Sequence, residues 1–349
     1  MRSLSPRRSS GSLPVVFIFV ILMPAACAQT SSSTPAAGAA ANQAGSTGAA
    51  SSTPPSSADQ PQQPSPDDQG GTFVFKKQVE EVVLHASVFD EQRRPVSNLD
   101  RSAFSVFEDG QPQTITSFRR EDIPVAMGIV VDNSGSMRDK REKVNQAVLT
   151  LIRASNAKDE IFVVNFGREP YLDQDFTSNE DLLQAALHQV TAGGSTALYD
   201  AIVASAVHLA NNPQHLKKKV LLVITDGEDN MSEETLDDTL RRLQGPNGPV
   251  LYLIGLLGNE LHESGSDALQ RLAAATGGVA YFPDTVDEVD NITRSVAHDI
   301  RSQYVIAYRP QDQNRQPGYE SIRVVANAQG YGRLTVRTRS GYFVGEDNP

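Results

Sequence analysis

Four short apolar runs constrain what this chain can fold into more than anything else in it: Val125 to Val131, Ile161 to Phe166, Val220 to Thr225 and Leu251 to Gly255. Each is nearly continuous rather than alternating, which is how a strand covered on both faces reads. Between them the apolar spacing changes to that of helices. Val144, Ala147, Val148 and Leu151 share one face, as do Leu182, Leu183, Ala186 and Leu187. So do Leu198, Ile202, Ser205 and Leu209, and again Leu269, Leu272 and Ala273. A last helical pattern, Val289, Ile292, Val296 and Ile300, ends near Arg301. Ser178 three residues before Asp181, and Thr285 three before Glu288, read as helix-start boxes. Buried strands alternating with helices predict right-handed parallel crossovers. The expected fold is α/β, with a doubly wound, mostly parallel, Rossmann-like sheet. Tyr171 to Phe176 is expected to add an antiparallel edge strand.

On both sides of this segment the pattern is that of exposed-face strands. Val82, Leu84, Ala86 and Val88 alternate with more polar neighbours; Phe104 to Glu108 and Ile115 to Phe118 follow, with a hairpin-like Asp109-Gly110 turn after Glu108. Beyond the last helix come Tyr304 to Tyr308, Ile322 to Ala326, Leu334 to Thr338 and Tyr342 to Val344. Three N-terminal strands make a marginal sheet by themselves. The economical arrangement joins 73–120 with 303–345 in one small β-sandwich and inserts 121–302 between them.

The first residues are expected to lie outside the fold. Arg2, Arg7 and Arg8, an apolar Val15 to Met23 and the small Ala25, Ala26 and Ala28 read as a secretory signal over 1–28, cleaved near Ala28 and too short for a membrane span. Cys27, the only cysteine, offers an alternative, a lipid anchor at a lipoprotein-type cleavage site, although Pro24 departs from that pattern. Both readings place the protein outside the cytoplasm: secreted, periplasmic or on the cell surface. Neither leaves a transmembrane span in the mature chain. From Gln29 to Gly71 there is no Val, Ile, Leu, Met, Phe, Tyr or Trp, so 29–72 is expected to be a disordered Ala/Ser/Pro-rich linker. With a single cysteine no disulfide forms within the chain, and stability must come from a sizeable core. The net charge of −11 disfavours nucleic acid and anionic membrane surfaces as partners.

Three separated pieces carry the chemistry. Asp132-Asn133-Ser134-Gly135-Ser136, Thr196 and Asp226 each follow a stretch that reads as buried strand, where an open α/β sheet presents side chains to a ligand. Together they offer two carboxylates and three hydroxyls, an all-oxygen set suited to a hard divalent cation. Mg²⁺ is the first candidate, with Mn²⁺ or Ca²⁺ as alternatives. Five protein groups leave one octahedral position for something from outside.

Asp-x-Ser-Gly-Ser after an apolar strand, the Thr of Gly193-Gly194-Ser195-Thr196-Ala197-Leu198-Tyr199-Asp200 and Thr225-Asp226-Gly227 resemble the von Willebrand factor type A domain, over roughly 121–302. The resemblance implies a metal-ion-dependent adhesion site. In it Ser134 and Ser136 bind the ion directly, Thr196 directly or through water, and Asp132 and Asp226 mostly through water. It also implies that the guest is an Asp or Glu side chain of a partner protein. Asn133, Met137, Arg138, Ser195, Tyr199, Glu228, Asp229 and Asn230 would then set specificity. The flanks resemble secreted bacterial proteins related to this family, through Glu108-Asp109-Gly110 with Gln113, Ile115 and Phe118, and through Tyr304, Tyr308 and Pro310.

Two other readings stay open, a Mg²⁺-dependent phosphoesterase-like hydrolase and a scaffold with a purely structural metal. Against catalysis, a phosphatase using an aspartyl nucleophile wants an acid two residues after Asp132, where Ser134 stands. There is also no Gly-x-Ser-x-Gly, Gly-Lys-Ser/Thr or His-Glu-x-x-His. The histidines are scattered: His85 is expected to face outward from a strand, and His188, His208 and His298 to lie within helices.

Overall fold

The computed structural model describes residues 81–345 apart from 121, 189–192, 213, 246, 257–262 and 312–315. The expected leader (1–28) with Cys27 and the expected linker (29–72) therefore lie outside the described residues. In chain order the elements begin with β1 (Val82–Phe89), β2 (Phe104–Glu108), β3 (Gln111–Gln113), β4 (Ile115–Arg119), β5 (Val125–Asp132), α1 (Arg141–Arg153), β6 (Glu160–Phe166) and β7 (Pro170–Thr177). They continue with α2 (Glu180–His188), α3 (Leu198–Ala210), β8 (Lys218–Thr225), α4 (Leu236–Leu243), β9 (Val250–Gly255), α5 (Glu263–Thr276), β10 (Ala280–Tyr281) and α6 (Val289–Ser302). The chain closes with β11 (Tyr304–Tyr308), β12 (Gly318–Ala326), β13 (Thr335–Arg337) and β14 (Gly341–Val344).

The four apolar runs become the centre of a six-stranded sheet, ordered β10-β9-β8-β5-β6-β7. All its pairings are parallel except that of β7, which runs antiparallel to β6 at the edge. Every residue of β5 is buried, because helices cover both faces. Val125, Met127, Ile129 and Val131 share a core with α1, α2 and α6, while Ala126 and Val130 share one with α3, α4 and α5. Each buried Val, Leu or Ile contributes about 1.5–3 kcal/mol relative to exposure. Gly128 belongs to the second face, and a Cβ there would lie 2.4 Å from the Phe162 ring and 2.6 Å from Leu221. The absence of a side chain is what lets that ring cross the middle of the sheet.

The flanking strands form two antiparallel four-stranded sheets, β13-β1-β11-β4 and β14-β12-β2-β3, each drawing strands from both sides of the central segment. Their inner faces share one core, including Leu84, Ala86, Val106, Tyr304, Ile306, Tyr308 and Val324, so the pair is a β-sandwich. The motif residues of the flanks meet inside it. Tyr308 and Tyr342 both donate their hydroxyls to the buried Glu108 carboxylate. Tyr304 donates to Val96 O and accepts from Leu99 N, both at 2.9 Å. Asp109 and Gly110 have φ of 46° and 76°, the left-handed pair of a two-residue hairpin turn.

Two expectations need correction. His85 does point away from the sandwich core, but it is only partly exposed: Lys218 and Arg339 lie close enough to act on its charge, and its Nδ1 is enclosed without a hydrogen-bond partner. The start of α2 is capped by Asn179, not Ser178: the Asn179 side-chain oxygen accepts from the N–H groups of Asp181 and Leu182. The Thr285–Glu288 box does form. The short β3, β10 and α4 went unread: Gln111-Pro112-Gln113 has no apolar alternation, and proline is tolerated there because β3 is an edge strand. Among the described residues no helix is long and apolar enough to cross a membrane.

Candidate metal centre

The site forms where the sheet changes winding direction. From β5 the chain moves to β6 on one side, then crosses to β8, β9 and β10 on the other. The neighbouring carboxyl ends of β5 and β8 therefore diverge into different loops and leave a crevice, the usual ligand position of such folds. Asp132 ends β5, and Asp226 directly follows Thr225, the end of β8.

Asp132 is fully buried. One carboxylate oxygen accepts from the Ser134 N–H at 2.7 Å, which folds the following turn back over the strand end. The other accepts from the Thr225 hydroxyl at 2.5 Å. Arg141, at the start of α1, donates to the Asp132 backbone carbonyl at 2.9 Å. Burial pushes the Asp132 carboxyl above the usual carboxylate range; the bonds from Thr225 and Ser134 offset this in part, and the charge of Asp226 adds to it.

The serines converge on the second acid. The Ser134 and Ser136 hydroxyls lie 3.1 Å apart, and both donate to Asp226 Oδ1, at 3.3 and 2.8 Å. The Asp226 side chain is 0% exposed, whereas Ser136 opens to solvent. Thr196 is buried and reaches the same crevice from the loop before α3. Its Oγ1 lies 3.3 Å from where a Cβ on Gly227 would stand, so a side chain after Asp226 would press on Thr196. A reciprocal pair of bonds fixes it: Thr196 N–H donates to the Asn230 side chain, and Asn230 N–H to Thr196 O, both at 3.0 Å. The structure thus brings all five expected residues to one crevice. Ser134, Ser136 and Asp226 are hydrogen-bonded to one another, Asp132 is joined through the Ser134 backbone, and Thr196 approaches over Gly227.

The donor set suits a hard divalent cation. Two buried carboxylates, one of them raised in pKa by burial and by its neighbour's charge, gain from a cation, and three hydroxyls add neutral oxygens. Among the described residues no cluster of three or more His, Cys, Asp or Glu could hold a metal. Any metal here therefore depends on the hydroxyls.

The surrounding residues divide differently from expectation. Met137 is buried in the core with α1 and cannot touch a guest. Asp229 and Asn230 spend their side-chain oxygens locally. Asp229 Oδ1 accepts from the N–H groups of Leu198 and Tyr199, capping α3. Asp200 accepts from the N–H groups of Glu233 and Glu234. Asp229 and Asp200 therefore stitch loops together. Sequence reading missed Thr225, Arg141 and Lys140, whose ammonium lies 2.6 Å from Asp226 Oδ2. Thr225 stood in the Thr225-Asp226-Gly227 piece of the sequence but nothing there gave its hydroxyl a role. The two cations carried no signal until the turn after β5 was folded.

Comparison with known proteins bears on this arrangement. Residues 127–228 match the sequence model of the von Willebrand factor type A domain. No curated protein sequence matches the chain. Among solved structures, von Willebrand factor type A from Catenulispora acidiphila is 13% identical with a TM-score of 0.43, covering 76% of this chain and 75% of that one. The PilB minor pilin from Streptococcus sanguinis is 13% identical with a TM-score of 0.44, covering 53% of this chain and 63% of its own. Proximal thread matrix protein 1 from the mussel byssus, with a zinc-occupied MIDAS motif, is 17% identical with a TM-score of 0.46, covering 56% and 50%. The chain thus spans less than two thirds of the pilin and byssus structures. The matched segment runs from within β5 to just past Asp226, so it is residues 127–228, which include Asp132, Ser134, Ser136, Thr196 and Asp226, that match the von Willebrand factor type A domain.

Proposed function

We propose that the chain is an exported, metal-dependent protein-binding module that captures an Asp or Glu side chain of a partner protein. Ser134, Ser136, Thr196, Asp132 and Asp226 would hold the ion, Mg²⁺ in the first instance. A bound ion with mostly neutral hydroxyl ligands supplies an electrophilic position that favours an incoming carboxylate. The observation that carries this reading is the convergence of the Ser134 and Ser136 hydroxyls on Asp226 Oδ1 beside an exposed Ser136. We read 1–28 as an export leader, 121–302 as a module inserted into the sandwich of 73–120 and 303–345, and 29–72 as the linker between them and the leader.

Two experiments test the proposal. Calorimetric titration with Mg²⁺, Mn²⁺ and Ca²⁺ should show one-site uptake that Asp132→Ala and Thr196→Ala abolish or weaken by tenfold or more. Retention of extracellular proteins on the immobilised chain should then require metal and yield to excess free glutamate. Uptake without metal-dependent retention leaves a structural ion; no uptake by the folded chain removes the proposal.

A further inference from the structure

We infer that Lys140 is a built-in counter-cation of this site, holding Asp226 in place and setting a threshold concentration of divalent ion below which the site stays unloaded. The inference rests on the metal reading above and extends it to a residue outside the five ligands.

Lys140 stands at the start of α1, on the turn after Ser136. Its Nζ lies 2.6 Å from Asp226 Oδ2 and donates to the Leu256 carbonyl at 3.3 Å, while its side chain stays 34% exposed. The two oxygens of Asp226 are thereby divided. Oδ1 receives the serine hydroxyls and Oδ2 receives the ammonium. Arg141, the next residue, spends its guanidinium on the Asp132 backbone carbonyl and on Asn165, not on either carboxylate of the site. Lys140 is thus the side chain that compensates the Asp226 charge, and that compensation has two consequences.

First, the metal-free fold is relieved of an unpaired buried carboxylate, and Oδ1 is turned toward the serines. Second, a divalent ion sharing Asp226 meets a positive charge already bound to it. A single positive charge acting on a divalent one a few ångströms away, even screened as in water, shifts affinity by about an order of magnitude. The same repulsion leaves more of the ion's charge uncompensated, which sharpens its demand for an outside carboxylate. A lysine kept only to support the turn predicts the reverse, because removing it would loosen the site and weaken metal uptake.

The test is calorimetric titration of the full chain with Mg²⁺ and with Mn²⁺, for wild type, Lys140→Met, Lys140→Gln and Lys140→Arg, with Ser134→Ala as the site control. Thermal melts with and without metal run alongside. The expected result is uptake about tenfold tighter in Lys140→Met and Lys140→Gln, with Lys140→Arg close to wild type. The melting temperature of the neutral variants should fall without metal and rise more steeply on adding it. Equal or weaker uptake by folded Lys140→Met and Lys140→Gln, with wild type still binding, overturns the role of Lys140 alone. If wild type takes up no metal, or Ser134→Ala binds as well as wild type, the metal reading itself fails and this inference goes with it.

Discussion

Lowering the pH should destabilise this protein through a group far from the candidate metal centre. His85 lies on β1, on the face opposite Leu84 and Ala86, where the sandwich meets Lys218 of β8 and Arg339. Its Nδ1 is enclosed without a hydrogen-bond partner. Burial, with Lys218 and Arg339 as further causes, pushes the imidazole down to about 3 from 6.5. The native state therefore keeps His85 neutral where the unfolded chain protonates it, and stability is lost as pH falls through the unfolded value. At pH 5 the unfolded form gains about 1.5 pH units of proton binding that the native form does not share, worth roughly 2 kcal/mol. That figure depends almost wholly on the unfolded value, since any native value below about 4 gives the same loss. The loss is complete only near pH 3. Carboxylates also titrate in this range, so the comparison must be internal. Urea unfolding of wild type and His85→Gln at pH 7.5, 6.5, 5.5 and 5.0 gives two stability curves, and their difference isolates the imidazole. We expect the wild type to lose about 2 kcal/mol more than the variant between pH 7.5 and 5.0. Parallel curves, or a wild type that gains on the variant as pH falls, would refute the enclosure of His85.

Two further outcomes follow from packing and charge. Gly128→Ala places a methyl against the Phe162 ring at the centre of the large sheet and should cost about 1–3 kcal/mol, read as a lower urea midpoint with an unchanged slope. Asp299 on α6 accepts hydrogen bonds from Ser87, Tyr252 and Arg337, tying that helix to β1, β9 and β13. Asp299→Ala and Arg337→Ala should each cost about 3 kcal/mol by leaving a largely buried charge unpaired. In a double-mutant cycle the pair should show at least about 1 kcal/mol of coupling, and additive losses would mean that the two side chains act independently.

Much of the central sheet was legible because its strands are covered on both faces, and a strand in that setting cannot hide its composition. β5, β6, β8 and β9 were read from unbroken apolar runs, and α1, α3 and α6 from stripes that must face a core. Elements with little to bury were not. β3 is two glutamines and a proline at an edge, and α4 buries only Thr239 and Leu243, its one readable start being Thr235, whose hydroxyl accepts from the Asp238 N–H. The cap of α2 was assigned one residue early because Ser178 and Asn179 carry the same chemistry. Only the path of the chain decides which of them meets the helix N–H groups.

The same division runs through the site. Residue identity and short-range order were enough to establish which oxygen donors exist and that each follows a strand. What those donors do was settled by the packing of distant segments. The crossing of the chain from β6 over to β8 brings Asp132 beside Thr225 across 93 positions and Ser136 onto Asp226 across 90. It also sets Lys140 against Asp226. It encloses the Nδ1 of His85, whose outward position on β1 would otherwise leave it open to solvent. Hydrogen bonds and charge compensation depend on separations of a few ångströms, and for residues so far apart in the chain those distances are set by how the layers pack.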